Sequence, residues 1–313
     1  FAEDLTVSTV YNTLVEIARL SGSGSNKEKI SKLAGLLTDA DPIEARYILR
    51  TLTSSLRLGL SDMGILDGLS IAFTGNRDAR GDLESAYNVC SDLGRVSCVL
   101  AEKGIDAVRA IHTEVGVPIR MMAAKKLSDA NEIMEKIGKK AFVEYKYDGE
   151  RVQAHKNGHE VTLYSRRQEV ITHQYPDVVQ LIQEYVKVDS CVLEGECVAI
   201  DQETGKMKPF QELMRRRRKT GIDDMQKEVP VAFFIFDILY LKGEDVTSRP
   251  MLERRKLMED TIEVSNRVNL TIGEFTEEPD RLYEIFENAV NSGYEGVIAK
   301  AIHENSSYQA GAR

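Results

Sequence analysis

The sequence predicts two domains of different class: an all-α domain over residues 1–117, then an α+β domain with antiparallel sheets over residues 118–313. Three observations predict it. Apolar residues recur at helical spacing as far as Val117-Pro118, with no strand-like alternation of any length. Beyond residue 141, short runs rich in β-branched and aromatic residues are interleaved with helical stretches. The 313 residues suit two domains at roughly 100–200 residues each.

In the first domain, Val7, Val10, Leu14, Ile17 and Ala18 share one helical face, and Ser21-Gly22-Ser23-Gly24-Ser25 breaks the helix. A second helix is expected after Asn26, with Ile30, Leu33, Leu36 and Leu37 inward. The third has a defined start: Asp41 as N-cap, Pro42 at the first helical position and Glu44 to complete a capping box. Its inward set is Ile43, Ile48, Leu49, Leu52 and Leu56. Shorter helical patterns follow over 83–100 and 105–111.

In the second domain, strands are expected at 141–145, 151–155, 161–164, 192–200 and 231–240. Helices are expected at 178–186, 254–263 and 281–292. Asn157-Gly158 and Lys242-Gly243 mark turns.

Composition narrows the class. With 42% hydrophobic and 29% charged residues the chain is an ordinary globular one rather than a disordered one. No apolar run approaches the ~20 residues that span a bilayer, and no signal peptide is visible, so an intracellular protein without a membrane partner is expected. The four cysteines form no C-x-x-C pair and no disulfide framework, which disfavours a zinc site and suits a reducing compartment. A net charge of −9 disfavours indiscriminate nucleic-acid binding but leaves room for a local basic track.

One segment carries chemistry. Lys146-Tyr147-Asp148-Gly149-Glu150-Arg151 sits between two expected strands, so a turn holds Lys146 at the rim of a sheet. A lysine amine is a nucleophile in its neutral form, which burial or nearby cations favour. Alone, the segment also reads as a surface turn with a solvated lysine. By the same local standard, Glu194 and Glu196 would face solvent, Phe236 would be core, and Arg166 and Arg167 would be ordinary surface charges.

The ordered set of motifs changes that weighting. Glu144-Tyr145-Lys146-Tyr147-Asp148-Gly149-Glu150-Arg151 is followed by Ser165-Arg166-Arg167-Gln168-Glu169 and Leu193-Glu194-Gly195-Glu196. Phe236-Asp237-Ile238-Leu239-Tyr240-Leu241 and Glu295-Gly296-Val297-Ile298-Ala299-Lys300 complete the order. The series resembles the nucleotidyltransferase superfamily, and most closely the ATP-dependent DNA ligases of the archaeal and eukaryotic replicative type. The helical region resembles their DNA-binding domain, chiefly over Leu56-Arg57-Leu58-Gly59-Leu60-Ser61 and Ile65-Leu66-Asp67-Gly68-Leu69.

The resemblance implies ATP and Mg²⁺ as cofactors and a lysyl–AMP intermediate on Lys146. It implies Glu144 beside adenine, Phe236 stacked on the base, and Arg151, Arg166, Lys300 and Arg313 around ribose and phosphates. Glu196 would contact ribose or metal, and Glu295 would help hold the metal. Arg215, Arg216, Arg217, Arg218 and Lys219 would track DNA phosphates, the alternative being a solvated helix face. Nicked duplex DNA is the implied substrate, a sliding clamp is a candidate partner, and a monomer is expected. Met121 departs from the family, which usually has Pro there. The family continues with a Trp- and Lys-containing motif and an OB-fold domain. The chain has no Trp, so a fragment defective in nick sealing is expected. The competing readings are an RNA ligase or capping-type nucleotidyltransferase, and a catalytically inert DNA-binding module.

Overall fold

The computed structural model describes residues 5–54, 56–217 and 226–312. The amino-terminal stretch is helical throughout: α1 (Val7–Arg19), α2 (Ser25–Asp39), α3 (Pro42–Leu52), α4 (Asp62–Thr74), α5 (Arg80–Cys90), α6 (Leu93–Lys103) and α7 (Ile105–Arg109). The expected start of α3 is present. Asp41 accepts from Ile43 N at 2.7 Å and Glu44 N at 2.8 Å, while Glu44 returns a carboxylate oxygen to Asp41 N at 2.9 Å. Compactness divides the chain into residues 1–65 and 66–313. Helices α5–α7 therefore belong to the same unit as the sheets, whereas helical content alone changes to strand after residue 117.

The inward faces expected of the first three helices are only partly covered. Leu36 and Ile48 are buried, but Val7, Ile30, Ile43, Leu49, Leu52 and Leu56 are exposed. A unit this small has too little mass to enclose every apolar face that helical spacing creates.

A seven-residue helix α8 (Ala130–Lys136) leads into the strands. A three-stranded sheet has the order β8 (Gly273–Thr276), β1 (Ala141–Lys146), β9 (Gly296–Ala301), all antiparallel. The second sheet runs β3 (Glu160–Ser165), β2 (Glu150–Asn157), β4 (Ser190–Ala199), β5 (Val231–Leu241), β6 (Glu244–Asp245). Its pairs are antiparallel except that β7 (Val268–Leu270) runs parallel to β5.

The main core lies on one face of the larger sheet. Val152, Ala154, Leu163, Leu193, Phe233 and Ile235 pack there with Val178 and Ile182 of α9 (Pro176–Tyr185) and Met258 of α11 (Met251–Thr261). The four-residue helix α10 (Phe210–Leu213) adds Leu213. The smaller sheet lays Ala141 and Val143 against Met134 of α8 and Leu282 and Ile285 of α12 (Pro279–Asn291). Its other face carries Phe142, Glu144 and Lys146, because side chains alternate along a strand.

Candidate active site between the two sheets

Strand β1 ends at Lys146, and a three-residue turn carries the chain into β2 of the other sheet. The turn is tight against β4. A Cβ on Gly149 would stand 2.2 Å from Cys197 O and 2.9 Å from Glu196 Cγ, closer than any side chain can approach. Tyr147 anchors the same turn: it is buried, stacks on Phe234 at 4.2 Å and meets Tyr294 edge-on at 5.0 Å. Lys146 is thus fixed where the two sheets meet.

The smaller sheet contributes one wall. Lys146 Nζ donates to the Glu295 carboxylate, and Glu295 N donates to Lys146 O at 2.9 Å. Lys300 Nζ lies 2.7 Å from Glu144 Oε2. Glu144 is buried and also receives Arg255 Nη1 at 3.3 Å.

The larger sheet contributes the other wall. Register places Arg151 opposite Glu196 and Gln153 opposite Glu194. Arg151 donates to Glu194 Oε2 at 2.6 Å and to Met122 O at 2.7 Å, and its guanidinium lies 5.1 Å from the Phe236 ring centre. Lys300 Nζ is 5.4 Å from the same ring centre. Glu196 is half-buried, and that burial pushes its carboxyl up to about 8. Lys146 and Arg151 oppose the shift, while Glu295 and Glu150 reinforce it. Glu196 and Phe236 thus face the space between the sheets, while Glu194 is buried beneath Arg151 and Tyr308. Phe236 is half-buried beneath two cations rather than sealed in the core.

Most residues that the sequence singled out converge: Glu144, Lys146, Arg151, Glu196, Phe236, Glu295 and Lys300. Arg166 is exposed on the turn after β3, one register step beyond the Val152–Ser165 pair, at the end of the sheet where Arg151 lies. Arg313 lies outside the described residues.

The basic run does not act as one surface. Arg216 is buried and reaches Asp177 through both terminal nitrogens at 2.7 and 2.9 Å, with Val229 O accepting at 2.6 Å. Its expected place among phosphate-tracking residues gives way to an internal ion pair, because a buried guanidinium is satisfied by a carboxylate and carbonyls. Arg215 is exposed and paired with Glu212 at 3.0 Å and Glu228 at 2.7 Å. Arg217 ends the 3₁₀ turn Met214–Arg217. Arg218 and Lys219 lie outside the described residues.

Sequence reasoning missed the supports of the site. Tyr308 is buried, donates to Glu194 Oε2 at 2.9 Å and accepts from Met122 N at 2.8 Å. In the sequence Tyr308 stands only as the landmark for Arg313, and Arg255 and Gln153 carry no assignment there. In β2, Gln153 and His155 alternate with Val152 and Ala154, so Gln153 reads as an ordinary outward-facing polar residue and the sequence carried no signal for its burial.

A family model described as "ATP dependent DNA ligase domain" matches residues 121–313, which is more than half of the chain. The chain belongs to the ATP-dependent DNA ligase family. A second model, "DNA ligase N terminus", matches residues 1–70. A DNA ligase of Sulfophobococcus zilligii is 51% identical over 99% of this chain and 51% of that protein. A DNA ligase of Hyperthermus butylicus is 49% identical over 99% of this chain and 51% of that protein. The chain therefore spans about half the length of these curated relatives. The solved structure "Pmar-Lig_Pre" matches all of this chain and 62% of its own with a TM-score of 0.57 at 15% identity, a likeness of fold. Among the described residues, no helix of this ligase-family chain is long and apolar enough to cross a membrane.

Proposed function

We propose that this chain supplies the self-adenylating centre of an ATP-dependent DNA ligase acting on nicked duplex DNA, with residues 118–313 as the adenylation domain and 1–117 as a DNA-binding domain. The observation that carries the reading is the hydrogen bond from Lys146 to Glu295 where the two sheets meet, with Glu196, Arg151 and Lys300 on the facing walls.

In the first step Lys146 Nζ attacks the α-phosphorus of ATP. A P–N bond forms and the bond to the bridging oxygen of pyrophosphate breaks. Lys146 must surrender a proton to do this, and Glu295 already accepts its hydrogen bond. Arg151 and Lys300 offer positive charge for the phosphoryl oxygens, and Phe236 offers a ring face for the base. Glu144, held by Lys300 and Arg255, lies beside the base pocket. AMP then passes to a DNA 5′-phosphate, and a 3′-hydroxyl displaces it.

Glu196 and Glu295 are the carboxylates that would hold Mg²⁺. They lie close enough for the charge of one to raise the other, and a cation beside them relieves that repulsion. Bound Mg²⁺ would supply charge neutralisation at the phosphates while keeping several waters.

Intact mass spectrometry after incubation with ATP and Mg²⁺ tests the reading. The expected result is a gain of one AMP that is absent in Lys146→Ala. An adduct that survives the substitution would overturn the assignment of the nucleophile. Labelling from GTP in preference to ATP would favour a capping-type enzyme, and preference for RNA nicks an RNA ligase.

A further inference from the structure

The polar face beneath Arg151 is built around Gln153, a residue with no part in the adenylation steps above. Gln153 is fully buried, and its amide uses every hydrogen-bonding position it has. Its Oε1 accepts from Ile119 N at 2.8 Å and from His155 Nε2 at 3.0 Å. Its Nε2 donates to Ile119 O and to Glu194 Oε1, both at 3.2 Å. Because His155 donates through Nε2, its Nδ1 is free to accept from Gly116 N, which it does at 2.9 Å. Tyr164 OH donates to Gly116 O at 2.7 Å. Glu194 in turn holds Arg151 and Tyr308, and these two grip Met122 O and Met122 N. One connected set of buried polar groups therefore clasps segment 116–122 at Gly116, Ile119 and Met122, and the same set aims the Arg151 guanidinium.

A buried network of this kind adds little net stability over an apolar packing of the same shape, but it specifies geometry. We propose that Gln153 is a positioning residue for the nucleotide site: through Glu194 it fixes Arg151, and through Ile119 it fixes the segment whose Met122 carbonyl Arg151 grips. The proposal rests on the reading of Arg151 as a nucleotide contact.

Gln153→Leu preserves approximate volume and removes the relay. Amide hydrogen exchange of the nucleotide-free chain reads the relay without any chemistry. The Met122 amide donates to Tyr308 OH and is reached from Gln153 both through Glu194 and through Ile119; it is expected to exchange about 10-fold faster, while Val143 in β1 keeps its protection. ATP titration calorimetry supplies the second readout. Gln153→Leu is expected to weaken binding about 10-fold in the wild-type background and less than about 2-fold once Arg151→Ala is present. Gln153→Glu, which sets a carboxylate against Glu194, is expected to bind ATP no better than Gln153→Leu. Unchanged Met122 exchange, equal losses in both backgrounds, or normal binding by Gln153→Glu would each overturn the proposal. If the wild-type chain bound no ATP, the adenylation reading would fail, and the exchange measurement would still decide the relay.

Discussion

Lys300 Nζ stands 2.7 Å from Glu144 Oε2 and donates to Phe236 O at 2.9 Å, so a single ammonium ties the smaller sheet to the larger one. Lys300→Met keeps the aliphatic stem and deletes the tie. Glu144 would remain buried with Arg255 as its remaining cation, at 3.3 Å. Loss of one partner from a buried pair costs about 3–5 kcal/mol, and the second cation reduces that to roughly 2–3. A thermal melt should fall by about 5–10 °C. Formation of the Lys146 adduct should fall further than the melt explains, and Lys300→Arg should recover much of both. A melt identical to wild type would show that the tie carries no weight.

Gly149 is required by space rather than by its dihedral angles. Adding one methyl group sets it 2.2 Å from Cys197 O, and backbone cannot yield as a flexible side chain does. Gly149→Ala is expected to cost about 1–3 kcal/mol and to slow adenylation by at least about 10-fold, because the shift is transmitted directly to Lys146. Quench-flow measurement of adduct formation at a temperature well below the melt separates the two effects.

Arg215 and Arg216 are neighbours with opposite expected phenotypes. Arg216→Met strands Asp177 with Arg267 at 2.8 Å and should destabilise by about 3 kcal/mol. Arg215→Met removes exposed ion pairs and should change stability by less than about 1 kcal/mol. Urea denaturation of the two variants, compared at equal slope, checks the contrast. Equal midpoints would argue against the inward placement of Arg216.

His155 makes stability depend on pH in a definite direction. Burial lowers its folded value from 6.5 to about 3, and the bond from Gly116 N occupies the nitrogen that a proton would need. The unfolded chain therefore binds the proton first. Stability held above pH 6.5 is lost progressively as pH falls from about 6.5 to about 3, by up to about 1.4 kcal/mol per pH unit. His155→Gln should flatten that limb of a stability–pH curve. A wild-type curve with no slope attributable to residue 155 would contradict the neutral assignment.

The local signals were strong where a few adjacent residues encode the outcome. The capping box at Asp41, Pro42 and Glu44, the long strands β1, β2, β4 and β5, and the helices α9, α11 and α12 were all legible. Strands β7 and β8 were not, since three or four residues are too few for alternation to emerge from background. Glu295 and Lys300 were noted, yet not β9 as the strand that carries Lys300 and, from the residue just before its start, sets Glu295 beside Lys146. In the same way, Glu194 looked like a solvent-facing carboxylate. It is buried because segment 116–122 and Tyr308 cover that face of the sheet.

What the sequence alone determined was the chemical inventory and its order: a lysine held by a glycine turn at a strand end, followed by arginines, glutamates, an aromatic and a second lysine in family order. Such information is local, because turn geometry and side-chain alternation are written within a few residues. Only the tertiary structure decided which charges meet. Strand register set Arg151 opposite Glu196, the pairing of β1 with β9 brought Glu295 to Lys146, and burial drew Arg216 out of the basic run. Those outcomes depend on contacts between residues far apart in the chain, where desolvation and pairing outweigh any local pattern.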